Sequence, residues 1–95
     1  MSPAVRAVRL VVTGRVQGVG YRAWATRAAA QLGLRGWVRN RRDGSVELLA
    51  IGDEPAVAAM IAACREGPPG ASVSAIDVAD AAAEECRGFA ARPTL

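Results

Sequence analysis

The 95-residue sequence contains no histidine and no lysine. Without histidine there is no Ser-His or Cys-His dyad, no imidazole general base, and none of the imidazole ligand sets common in catalytic zinc sites. Without lysine there is no Schiff-base amine and no ammonium to reach terminal phosphates from a Walker A loop. Aromatics are scarce, at one Phe, one Tyr and two Trp, so the core has to be built mainly from Ala, Val, Leu and Ile. The two cysteines, Cys64 and Cys86, are too far apart for a Cys-x-x-Cys motif, and one pair is not a disulfide framework. Cys64 lies on an apolar helical face and reads as a core residue, not a nucleophile. No apolar run approaches the roughly 20 residues of a bilayer span, and residues 1–9 lack the long apolar block of a signal peptide. The expectation is a cytoplasmic, non-membrane protein forming one domain over residues 1–95.

What is present is arginine, glycine and a regular hydrophobic pattern. All 12 cationic side chains are Arg, and the net charge of +3 with a pI near 9.7 favours anionic ligands without naming one. Residues 5–13 alternate as a strand, with Val8, Leu10 and Val12 on the core face. The period then becomes helical from Tyr21, through Trp24, Ala25, Ala28, Ala29 and Leu32, with Gly33 as the stop; this helix is expected to bury Trp24 and Leu32. Residues 34–40 and 45–51 read as two strands of an antiparallel hairpin turned at Asp43-Gly44. Gly52-Asp53-Glu54-Pro55 opens a second helix with Val57, Met60, Ile61 and Cys64 as its buried stripe. A strand over 72–78, the alanine-rich and acidic 80–85 as a loop in preference to one helical turn, and a short last strand over 88–92, anchored by Phe89, complete the chain. The order βαββαβ plus a terminal strand predicts an α+β, ferredoxin-like sandwich. Two helices pack on one face of a four- to five-stranded antiparallel sheet.

The chemistry centres on Gly14-Arg15-Val16-Gln17-Gly18-Val19-Gly20-Tyr21-Arg22, which joins the first strand to the first helix. Glycines there let the backbone aim successive N–H groups at one anion, and the helix N-terminus adds unpaired donors and positive dipole. Arg22, one step inside the helix, can pair with two phosphate oxygens. Taken alone, the pattern is equally a solvated βα turn. A Walker A reading fails because Gly20 is followed by Tyr21-Arg22. A dinucleotide fold needs a parallel second strand ending in an acid, whereas here that strand ends in Asn40 and turns into a hairpin. A cysteine phosphatase loop needs Cys about six residues ahead of its Arg, and Val16 stands there. What survives is a metal-free and cofactor-free cradle with no acid, base or nucleophile. Such a site still suits a phosphate compound whose leaving group departs without a proton, and a carboxylate, with a pKa near roughly 4, is such a group. Asn40 is the candidate for positioning the attacking water.

At this point the residues resemble the acylphosphatase family. The stretch from Gly14 to Arg22 is similar to its first signature. Gly36-Trp37-Val38-Arg39-Asn40-Arg41-Arg42-Asp43-Gly44-Ser45-Val46 is similar to its second, and the likeness continues through Gly52-Asp53, Gly67-Pro68 and Phe89 to Arg92. The resemblance implies metal-independent hydrolysis of a small-molecule acyl phosphate. It casts Arg22 as the catalytic arginine and Asn40 as the residue orienting water. The phosphate-binding loop is then Gln17, Gly18, Val19, Gly20, Tyr21 and Arg22. Gly20 stands where larger residues are common in the family, and Tyr21 where Phe is common.

Around this site Arg39, Arg41 and Arg42 are expected either to steer an anion or to be a solvated turn, and Trp24 and Trp37 to be core. RNA binding on such a sheet needs exposed aromatics on the central strands, which 8–12 and 46–51 lack, so no nucleic-acid partner is expected. A role as the leading domain of a carbamoyl-transfer machine is disfavoured because those domains head much longer chains. The protein is expected to be a monomer.

Overall fold

The computed structural model describes residues 5–95. The reading of residues 1–9 as lacking a signal-peptide block therefore lies, for its first four positions, outside the described residues. Seven elements follow in order: β1 (Val5–Arg15), α1 (Tyr21–Gln31), β2 (Arg35–Asn40), β3 (Val46–Asp53), α2 (Glu54–Glu66), β4 (Ser72–Asp80) and β5 (Phe89–Ala91). They form one five-stranded sheet in the order β4-β1-β3-β2-β5, with both helices on one face. No helix among the described residues is long and apolar enough to cross a membrane.

The period-two pattern of β1 does what it specifies. Val8, Leu10 and Val12 are fully buried on the helix side, while Val5 and Arg9 are exposed. β1 also runs two residues further than its pattern suggests, through Arg15. Its pairing with β4 shifts register between Thr13 and Gly14, a bulge that bends the strand just before the glycine loop. β3, the central strand, is buried on both faces. Val46, Leu48 and Ala50 join the core under the helices, and Leu49 and Ile51 join Trp37 in a second cluster behind the sheet.

Helix α1 ends in a Schellman arrangement, with Leu34 N–H donating to Ala29 O at 2.9 Å and Gly33 N–H to Ala30 O at 3.1 Å. Its buried face is Tyr21, Ala25 and Ala29. Trp24 and Leu32, expected to be buried, are only partly so and pack at the edge of the core. The small alanines let α1 lie close to the sheet, which leaves the larger side chains at the margin. Helix α2 follows Asp53 with Pro55 in its first turn and buries Val57, Met60 and Cys64; Ile61 is partly buried.

The sheet departs from the expected all-antiparallel form at one strand. β1–β3, β1–β4 and β2–β3 pair antiparallel, but β5 pairs parallel to β2, Gly36 opposite Phe89. The reason is the route of residues 81–88, which form no helix or strand. This segment crosses behind the sheet from β4 to β2, packing Ala81 and Cys86 against the Trp37 cluster. Ala81 N–H donates to Ala7 O at 3.0 Å, and Gly36 N–H to Gly88 O at 3.1 Å, so the crossing is anchored at both ends.

Candidate active site

Between β1 and α1 the chain passes through Val16, which is fully buried, and then through two glycines with left-handed backbone, Gly18 (φ 75°) and Gly20 (φ 80°). A Cβ at either would meet no atom within 4 Å. Glycine is thus required there by the backbone angle and not by crowding. Gly20 is also the N-cap of α1 and offers no side-chain cap. The first helical bond is Trp24 N–H to Gly20 O at 3.0 Å. Among the described residues the amides of 18–23 donate to no backbone carbonyl, which leaves a fan of N–H groups at the positive end of the helix.

The residues that carry these amides, Val19 apart, border a cleft of about 360 Å³. Gln17, Gly18, Gly20, Arg22 and Ala23 line one side of it, and Val16 and Tyr21 its floor. Asn40, at the end of β2, and Ala91, in β5, line the other side. Asn40 pairs with Val46 as the last residue of the β2–β3 ladder, and its carbonyl accepts from Leu95 N–H at 3.2 Å on the opposite edge. Strand alternation puts Asn40 on the helix side with Val38, and Arg39 behind the sheet with Trp37.

The structure therefore gathers Gln17, Gly18, Gly20, Tyr21, Arg22 and Asn40 at one cleft, whereas Val19 lies off it and packs against the core. Gln17 lines the cleft, but its side-chain Nε2 donates to the carbonyls of Arg41 (2.8 Å) and Ser45 (2.9 Å) in the hairpin. The Tyr21 hydroxyl is buried and donates to Cys64 O at 2.7 Å, and its ring meets Trp24 edge-on with centroids 5.2 Å apart. Burial holds the Tyr21 phenol well above its ordinary range, so it is neutral. Arg22 is then the one charged group of the lining, with no carboxylate beside it. Among the described residues no three His, Cys, Asp or Glu side chains converge on one point.

Arg39 is not free to steer an anion. Its Nε sits 2.8 Å from Glu47 Oε1, its guanidinium stacks 4.5 Å from the Trp37 ring centre, and Arg9 reaches the other Glu47 oxygen at 3.4 Å. Asp43 caps its own turn, accepting from Ser45 N–H (2.9 Å) and Ser45 Oγ–H (2.6 Å), bonds that hold its carboxyl below the ordinary value. Sequence reasoning missed three features. Ala23 and Ala91 give no chemical signal, and Ala91 reaches the cleft only because β5 lies beside β2. Glu47 alternates as a solvent-facing strand residue but is 6% exposed.

A family model described as acylphosphatase matches residues 8–91. An acylphosphatase from Rhizorhabdus wittichii is 52% identical over 89 residues, 94% of this chain and 90% of that protein. One from Azoarcus sp. is 57% identical over 89 residues, 93% of this chain and 91% of that protein. Among solved structures, the acylphosphatase from Bacillus subtilis superimposes with a TM-score of 0.89 at 38% identity, covering 94% of this chain and 99% of that one. Full-length HypF in its phosphate- and nucleotide-bound form superimposes with a TM-score of 0.90 at 26% identity, covering 99% of this chain but 13% of that one. Matched from β1 to β5 by the family model and nearly end to end by relatives more than half identical to it, the chain belongs to the acylphosphatase family, hydrolases that act on acyl phosphates.

Proposed function

We propose that the cleft between the glycine loop and the end of β2 hydrolyses acyl phosphates without a metal, with Arg22 and the amides of 18–23 holding the phosphoryl group and Asn40 orienting the water. The amides supply dipoles already aimed at one point, so little reorganisation accompanies charge redistribution in the transition state. Arg22 neutralises the phosphoryl oxygens through a two-pronged contact. The Asn40 carboxamide is no base at neutral pH, but it can hold a water in line with the leaving oxygen. Water's oxygen bonds to phosphorus as the phosphorus–acyl oxygen bond breaks. The carboxylate leaves with the bonding electrons, and the water's protons remain with the inorganic phosphate. No group in the lining has to donate or accept a proton, which suits a carboxylate leaving group and not an alkoxide. The observation that carries the reading is the meeting of unpaired amides, one arginine and one carboxamide in a single carboxylate-free cleft.

The same proposal takes the substrate as a small free molecule and not a nucleic acid, since Trp37 is 2% exposed beneath Arg39 and Arg92 and offers no stacking face. It takes the protein as a monomer, because among the described residues the exposed large apolar side chains, Val5, Val78 and Leu95, are few. It takes the site of action as the cytoplasm, where the free thiols Cys64 and Cys86 would stay reduced.

The test is phosphate release from acetyl and benzoyl phosphate in EDTA. Asn40→Ala should lose turnover while keeping inhibition by inorganic phosphate, and Arg22→Ala should lose both. Full activity in either variant, or a preference for phosphate monoesters, would remove the assignment.

A further inference from the structure

Gln17 belongs to the glycine loop and lines the cleft, yet its side-chain amide nitrogen is taken up by the protein itself. Its Nε2 sits 2.8 Å from Arg41 O and 2.9 Å from Ser45 O, two carbonyls of the β2–β3 turn. Two acceptors at that range demand two N–H donors, which fixes the carboxamide's orientation and uses both of its hydrogens. The carbonyls are themselves part of a closed turn, since Ser45 O also accepts from Arg41 N–H (2.9 Å) and Arg41 O from Gly44 N–H (3.2 Å). One amide thus pins the loop to a rigid turn whose first residue, Arg41, directly follows Asn40. Gln17 and Asn40 are more than twenty positions apart in the sequence, and the strand bonds of Asn40 tie it to β3 and the C-terminal segment, not to the loop.

We infer that Gln17 is a positioning residue. Its side chain sets the separation between the amide fan that holds the phosphoryl group and the Asn40 carboxamide that aims the water. Its amide nitrogen acts on the turn, and the inference rests on the roles proposed above for the amides and Asn40. Glu at this position is nearly isosteric but sets a carboxylate oxygen against two carbonyl oxygens, so the turn and loop part. Met fills the same space with no donor. The cradle itself, built from local backbone angles at Gly18 and Gly20, stays formed in both variants. A displacement of about 1 Å between bound phosphoryl group and water is enough to cost on the order of a hundredfold in rate.

The experiment compares Gln17→Glu and Gln17→Met with the unaltered protein, using benzoyl phosphate as substrate and inorganic phosphate as inhibitor, with folding monitored by circular dichroism. The expected result is a kcat lowered about ten- to a hundredfold with phosphate inhibition changed less than about threefold. For Gln17→Glu, kcat relative to the unaltered protein should recover as pH falls toward roughly 4, where the protonated acid regains one donor. Combined with Asn40→Ala, either Gln17 variant should lower the residual rate by less than about twofold, because it acts through that residue. Phosphate inhibition weakened as much as kcat, or losses that multiply in the double variant, would overturn the inference. So would unchanged kcat in folded Gln17→Met. If Gln17→Met leaves kcat intact while Asn40→Ala is inactive, the positioning role of Gln17 fails and the proposed function stands. If Asn40→Ala is fully active, the proposed roles fail first.

Discussion

Tyr21→Phe is a sharp test of how this fold holds its two helices together. The Cys64 carbonyl lies in the last turn of α2, where the residue four positions on, Pro68, has no N–H to give. The Tyr21 hydroxyl, from the first residue of α1, supplies the missing donor at 2.7 Å in a buried setting. Phe keeps the ring and its edge-on contact with Trp24 but leaves that carbonyl unsatisfied and sealed from water. An unmade bond of this kind costs about 2 kcal/mol, and a domain of this size loses roughly 4–8 °C of Tm per kcal/mol, so Tm should fall by about 8–16 °C. Because the hydroxyl points toward α2 and away from the amide fan, kcat measured well below the melting transition should stay within about twofold. Calorimetry or thermal circular dichroism reads the first number, and phosphate release the second. A fall of less than about 3 °C would refute the idea that this bond replaces the one proline withholds.

Three further outcomes follow from the same geometry. Gly36→Ala should yield no folded protein, since a Cβ on its left-handed backbone (φ 137°) would run into the Leu49 carbonyl of the neighbouring strand; Gly18→Ala, with open space around its Cβ, should fold at a loss of about 1–2 kcal/mol, as solubility and urea titration will show. Glu47→Ala should cost about 2–3 kcal/mol, less than a fully buried pair because Arg9 is half-exposed, while leaving KM for acyl phosphates unchanged because the Glu47–Arg39 pair lies behind the sheet. Burial pushes the Cys64 thiol up to about 11 from its ordinary 9.0 and raises the Tyr21 phenol as well, so the folded state keeps protons that the unfolded chain gives up. Stability from these groups should therefore be complete below about pH 9 and fall as pH rises through 9 to 11, with urea midpoints flatter over that range in Tyr21→Phe.

Much of the site was legible because its signals are local. The positive-φ demand at Gly18 and Gly20 announces itself as glycine, and Arg22 stands one residue inside a helix whose period begins at Tyr21. Asn40 is marked by the turn that follows it. What stayed hidden has its cause in distant parts of the chain. Trp24 occupies an ideal helical core position, but the alanines beside it bring α1 so near the sheet that the indole stays at the margin. Arg39 neighbours Asn40 in sequence, yet strand alternation sends it to the opposite face, where Glu47 and Trp37 hold it. The alanine-rich stretch after β4, by contrast, reads as a loop and is one, with residues 81–88 forming neither helix nor strand; only its path across the back of the sheet was hidden.

Periodicity, backbone freedom and side-chain type are local properties, so the order of helices and strands, the glycine loop and its want of an acid, base or nucleophile of its own could be read from the residues alone. That β5 runs parallel to β2, that Ala91 borders the cleft and that the Gln17 amide bonds two hairpin carbonyls emerges only once the chain is folded. Each of these depends on hydrogen bonds and packing between residues separated by tens of positions, and no local pattern specifies which distant carbonyl a given donor will meet.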